Sequence, residues 1–121
     1  MKTLIGLCGF LILASTLQLG AREAITMSVY PTVSTAPATV IVRATVKTDA
    51  GNRALEIQVD SPNFYRSSRV QLDGDRAPNT SMFEFRSLPS GEYEVTVVLI
   101  GDHGRPRASL RRQLIVVSGR E

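Results

Sequence analysis

The sequence predicts an all-β protein in which seven antiparallel strands pack as two sheets of a sandwich. Three observations carry that prediction. Short runs alternate apolar and polar residues with period two. Turn-forming residues interrupt them roughly every 8 to 12 residues. No segment sustains a 3.6-residue periodicity, and prolines and β-branched residues punctuate the stretches where a helix could otherwise run.

The first strand is ITMSVY, Ile25 to Tyr30, with Ile25, Met27 and Val29 on one side and Thr26, Ser28 and Tyr30 on the other. PTVSTAP, Pro31 to Pro37, breaks it. TVIVRATVK, Thr39 to Lys47, lines up Val40, Val42, Ala44 and Val46. TDAGN is a turn cluster, after which RALEIQVD, Arg53 to Asp60, sets Leu55, Ile57 and Val59 against Glu56, Gln58 and Asp60. The segment SPNFYR reads as a loop, followed by a short fourth strand, SRVQLD, Ser68 to Asp73. GDRAPN turns the chain again. SMFEFRS, Ser81 to Ser87, alternates Phe83 and Phe85 with Glu84 and Arg86. EYEVTVVLI, Glu92 to Ile100, aims Tyr93, Val95, Val97 and Leu99 one way. The last strand, Arg107 to Val117, loses its alternation at Arg111, Arg112 and Gln113, which predicts a bulge there. One apolar and one charged face per strand is the pattern of antiparallel sheets wetted on one side.

The N-terminus reads differently. Lys2 precedes an uncharged apolar run, Leu4 to Leu17, and small residues follow in LQLGAREA. This is the layout of a secretory signal peptide, with a helical apolar region and cleavage after Ala21, Gly20 and Ala24 being alternative sites. The run is shorter than the roughly 20 residues a spanning helix needs. The expected division is therefore a signal peptide over 1–21 and one domain over 22–121, secreted or periplasmic and outside the membrane once processed. Cys8 sits inside the apolar run after Leu7, which does not fit lipid attachment, and the processed chain has no cysteine. Disulfides, a thiol nucleophile and thiolate metal sites are then excluded.

Formal charge is +3, and without Lys2 it is +2, from 13 basic and 11 acidic residues. The basic residues, twelve of fourteen being arginine, are scattered among the acids. Nucleic-acid binders show a clustered basic stripe and a reading motif, so no nucleic-acid partner is expected.

The stretch FEFRSLPSGEYEVTV carries a family resemblance. Leu88, Pro89, Gly91, Tyr93, Val95 and Val97 resemble the turn into the sixth strand of bacterial immunoglobulin-like and fibronectin type III-like domains. The resemblance implies that Tyr93 folds its hydroxyl back onto upstream backbone, as a tyrosine corner. LPSGEYEVTV is also similar to a signature of prealbumin-like modules, the regulatory-like domains of carboxypeptidases. APATVIVRATV in the first half is closer to the immunoglobulin-like repeats. The expected fold is thus a seven-stranded antiparallel immunoglobulin-like sandwich. A fold transfers no site.

Three stretches could carry chemistry. Asp102 and the single histidine, His103, lie in GDHGRP. A triad needs an activated nucleophile and an orienting third group, and the chain has no GxSxG setting. Zinc needs three or four ligands, which one histidine without cysteine does not supply. Asp73-Gly74-Asp75 lacks the further acids of a calcium loop. Both are expected to be turns. The third, Phe64-Tyr65 with Arg66 and Arg69, puts two aromatics and two arginines in a polar loop, the composition of a contact anchor. Val98 and Ile100, with Ile41, are expected to form an outward apolar strip.

The sequence thus predicts an exported, non-catalytic interaction or structural module without cofactor or metal. It would bind a protein partner or cell-envelope component through loops or a sheet edge, at Phe64, Tyr65, Arg66 and Arg69. The alternative is a carbohydrate-binding module using the same aromatic pair on a glycan.

Overall fold

The computed structural model describes residues 24–119; the expected signal segment lies outside them. Eight strands are found among these residues: β1 (Ile25–Tyr30), β2 (Val33–Thr35), β3 (Ala38–Val46), β4 (Ala54–Ser61), β5 (Phe64–Gln71), β6 (Thr80–Leu88), β7 (Gly91–Ile100) and β8 (Pro106–Val117). They form a three-stranded sheet in the order β1-β3-β6 and a five-stranded sheet in the order β2-β8-β7-β4-β5. The all-β, two-sheet expectation is met.

The apolar phase of each strand supplies the core between the sheets. β1 contributes Ile25, Met27 and Val29, and β3 contributes Ala38, Val40, Val42, Ala44 and Val46. Leu55, Ile57 and Val59 of β4, Tyr93, Val95, Val97 and Leu99 of β7, and Leu114 and Val116 of β8 face them. Each such branched or aromatic side chain contributes about 1.5–3 kcal/mol of burial. On β6 both Phe85 and Leu88 are buried although three residues apart. A register shift opposite Ala38 and Val40 restores the phase, with Ser87 at φ 62°.

Four expectations are corrected. The strands number eight, because the PTVSTAP break contains β2, which pairs with β8 in parallel rather than antiparallel fashion. The loop SPNFYR is no loop: Ser61 pairs with Phe64, leaving Pro62 and Asn63 as the turn, and the next strand begins at Phe64 and ends at Gln71. The bulge expected at Arg111 to Gln113 is absent, since those residues pair with Glu94, Val95 and Thr96 in continuous register. Arg112 simply occupies an inward phase and extends its head to solvent. The irregularity falls instead between Leu99 and Ile100. Finally, Ile41 lies on one sheet and Val98 and Ile100 on the other, so they form no common strip.

Asn52, in the turn between β3 and β4, is buried, and both ends of its side-chain amide are hydrogen-bonded. Its Nδ2 donates to Lys47 O at 3.0 Å and its Oδ1 accepts from Arg107 Nη1 at 2.8 Å. Its backbone accepts from Gly74 N, across the left-handed Gly74 of the Asp73-Gly74-Asp75 turn. A side chain at Gly74 would meet Ala50 O at 2.9 Å, which explains the glycine.

Arg107 also bonds Asp49 Oδ1 at 3.1 Å, while Gly51 N donates to the same oxygen at 2.7 Å. The Arg107 and Gly51 hydrogen bonds hold the Asp49 carboxyl below its ordinary value. Its contribution to stability is present above the unfolded-state carboxylate value, near pH 3.9, and is lost as pH falls through the lower folded value. Thermal melts should therefore show a small, salt-sensitive gap between wild type and Asp49→Asn above about pH 5 that closes in stronger acid. A gap that widens on acidification would contradict this placement of the charge.

Candidate functional site at the open edge of β5

The site is built on the β4–β5 hairpin. Residue pairs run without shift from Ala54 opposite Gln71 to Ser61 opposite Phe64. The turn fixes Ser61 and Phe64 as a hydrogen-bonded pair, and at the other end Leu72 N donates to Arg53 O at 2.8 Å. Antiparallel ladders alternate hydrogen-bonded and non-bonded pairs. Phe64, Arg66, Ser68 and Val70 therefore bond to β4, and Tyr65, Ser67, Arg69 and Gln71 turn their N–H and C=O groups outward. β5 is the last strand of its sheet among the described residues.

The same alternation divides the four side chains singled out by sequence. Phe64 and Arg66 share the inward phase with buried Ile57 and Val59 of β4. The Phe64 ring stands edge-on to Tyr93, 6.1 Å between centroids at 80°. Arg66 covers that ring at 4.9 Å and donates Nη1 to Arg86 O of β6 at 2.9 Å, tying the two sheets together. Tyr65 and Arg69 lie on the outer face, with Tyr65 58% exposed opposite Asp60 and Arg69 opposite Glu56. The four residues thus do not form one anchor: two close the flank of the sandwich and two are presented.

Tyr93 sits beneath this hairpin, with its hydroxyl donating to Pro89 O at 2.6 Å, as the resemblance implied. Burial pushes its phenol above the ordinary value, opposed by the Ser61 hydroxyl and the charge of Arg66. At the hairpin end of the sheet, Asp60, Ser61, Pro62, Glu92, Tyr93, Glu94 and Gln113 line a shallow depression of about 590 Å³, and Tyr65 is the pairing partner of its Asp60. Arg111 lies 3.7 Å from Glu94 at its rim.

Asp102 and His103 form a surface turn. His103 has φ 61° and is exposed, and Asp102 pairs with Arg53 Nε at 2.9 Å rather than with the imidazole. Among the described residues, no three His, Cys, Asp or Glu side chains converge as a metal-holding group, and no helix is long and apolar enough to cross a membrane. Sequence reasoning missed two features. Ser67 is the centre of the open edge, a role visible only once the turn is placed at Pro62-Asn63. Val33, Ile115 and Val117 form an exposed apolar group at the opposite edge.

No family model and no curated protein matches the chain. Solved structures do. The superoxide reductase (neelaredoxin) from Ignicoccus hospitalis is similar with a TM-score of 0.61 and 14% identity, over 77% of this chain and 80% of that one. The sulfur carrier protein SoxY from Chlorobium limicola f thiosulfatophilum gives 0.54 at 16% identity, over 77% and 75%. A chitin binding domain from Burkholderia pseudomallei gives 0.53 at 9% identity, over 70% and 56%. Similarity at these identities is similarity of fold, and it places the chain among all-β sandwich-like domains.

Proposed function

We propose that the chain is an exported, non-catalytic module of immunoglobulin-like type that binds a protein partner along the open edge of β5. One observation carries this reading. β5 offers four outward backbone residues over an eight-residue strand with no proline, lysine or register shift. Edges are usually blunted by such devices or by charged side chains; of these β5 carries only Arg69 and the inward-phase Arg66, whose head is held on Arg86 O and the Phe64 ring, so its backbone is left able to accept an added strand. By contrast β2 is only three residues long, β6 carries the shift at Ser87, and β1, the remaining edge, has six residues and is closed by Pro31. The order β1-β3-β6 over β2-β8-β7-β4-β5, with Tyr93 bonded to Pro89, supports the immunoglobulin-like assignment. A carrier protein and a binding domain among the fold's neighbours are in keeping with a non-catalytic role.

The edge is tested with Ser67→Pro. Proline is tolerated on an edge strand where the N–H faces outward, so the β4–β5 ladder survives while the central outward donor is lost. Immobilised wild type should retain a protein from envelope extract that Ser67→Pro does not, with both melting at similar temperatures. Arg69→Glu, which leaves the backbone untouched, serves as the second variant. Equal retention by all three would overturn the edge reading.

The glycan reading rests on exposed Tyr65 beside the acidic depression, because Phe64 is committed to Tyr93. It predicts that Tyr65→Ala abolishes retention on immobilised polysaccharide while Ser67→Pro leaves it intact. Undiminished retention by Tyr65→Ala would dismiss it.

A further inference from the structure

We infer that the strand added to β5 is the β5 of a second copy of this chain, giving a two-fold dimer with a continuous ten-stranded sheet. The inference rests on the reading of β5 as an interaction edge and names its occupant.

The argument is one of register. An antiparallel pairing of β5 with itself must oppose outward residues to outward residues, so odd-numbered positions face odd-numbered positions and a residue lies on the two-fold axis. Four such registers overlap five residues or more, with Arg66, Ser67, Ser68 or Arg69 on the axis. Arg66 or Arg69 on the axis places arginine directly against arginine and leaves only five residues paired. Like charges directly opposite are unfavourable. Ser68 on the axis pairs Tyr65 with Gln71 and Arg66 with Val70, which is permissible and unremarkable in chemistry.

Ser67 on the axis does more. It opposes Tyr65 of each copy to Arg69 of the other, twice by symmetry, on the outer face where both side chains are exposed. An arginine head and a phenol ring attract as cation and π face. On the inner face the same register opposes Phe64 to Val70. Both are partly buried apolar residues packed at the margin of the core, and each would complete the cover of the other. Arg66, already held by Arg86 O and its own Phe64 ring, faces only Ser68. The strand thus pairs cation with ring and apolar with apolar residue in one register, and that pairing is self-complementary, as an isologous interface requires.

Cysteine cross-linking reads that register directly. Hydrogen-bonded antiparallel partners have Cα atoms about 5.5 Å apart, within disulfide range. In a Cys8→Ser background, Ser67→Cys should oxidise to a covalent dimer and Ser68→Cys should remain monomeric. Sedimentation equilibrium of the wild type should show a concentration-dependent dimer, and Ser67→Pro should weaken it about tenfold or more through loss of the central hydrogen bonds. A wild type that stays monomeric at millimolar concentration, or Ser68→Cys linking in place of Ser67→Cys, overturns the inference. If the wild type is monomeric but Ser67→Pro still loses an envelope protein, the edge reading stands and its partner is another chain. If neither effect appears, both readings fail.

Discussion

Tyr93→Ala is expected to lower stability by about 3–5 kcal/mol, the usual cost of truncating a buried aromatic to alanine. For a domain of this size that corresponds to a melting temperature lower by roughly 15 °C or more. The ring is buried between the sheets and packed edge-on against Phe64, and its hydroxyl holds the Pro89 carbonyl at the corner between β6 and β7. Truncation therefore leaves a cavity, an unpaired carbonyl and a Phe64 ring without its neighbour. Tyr93→Phe keeps the ring and loses only the hydrogen bond, for about 1–2 kcal/mol. Calorimetry on both variants separates the terms. Equal losses would place the whole contribution in the hydroxyl and contradict the packing account.

Asn52→Ala is expected to cost about 2–4 kcal/mol, large for a turn residue outside any strand. Asn52 joins three pieces of chain: the end of β3 through Lys47 O, the turn before β6 through Gly74 N, and the start of β8 through Arg107. Alanine leaves the Lys47 carbonyl without its Asn52 donor and frees Arg107 from one of its two acceptors. Asn52→Asp keeps the size but supplies no amide donor to Lys47 O, so it should recover little of the loss despite its new charge beside Arg107. Urea unfolding of the two variants checks this. A near-neutral Asn52→Ala would mean that the network is a consequence of the turn and not its support.

The strands were legible because their side chains face two different solvents. Val40, Val42, Ala44 and Val46 could be assigned to the core from alternation alone, and the C-terminal end of β1 follows from Pro31 after Tyr30. The corner at Pro89 and Gly91 was readable for a different reason, since Tyr93 needs both burial and a hydrogen-bond partner. Edges were harder. β2 is short and exposed, with Val33 63% accessible, so it carries no alternation to read. β5 hid for a related reason: as an edge strand it buries neither face well, and FYRSSRVQ then looks like a polar loop with two aromatics in it. Arg112 misled in the opposite sense. A charged residue in the inward phase suggests a bulge, yet at the flank of a sandwich a long side chain reaches water without one.

The same limit governs the candidate site. Sequence picked out Phe64, Tyr65, Arg66 and Arg69 by composition, whereas the ladder decides which of them is available. Neighbours in sequence on a strand point to opposite faces. The register that buries Ile57 and Val59 turns Phe64 toward the core and Arg66 across the flank of the sandwich, and it leaves Tyr65 and Arg69 on the outer face. What no composition could show is that β5 presents an open backbone edge, the feature on which the proposed function rests.

Amide hydrogen exchange along β5, measured in the free and bound protein, tests that claim most directly. Phe64, Arg66, Ser68 and Val70 donate to β4 and should exchange slowly in both states. Tyr65, Ser67, Arg69 and Gln71 should exchange rapidly in dilute free protein and become protected on binding, whichever chain supplies the added strand. Binding that protects other amides while these four remain fast would contradict the assignment of the β5 edge as the interaction surface.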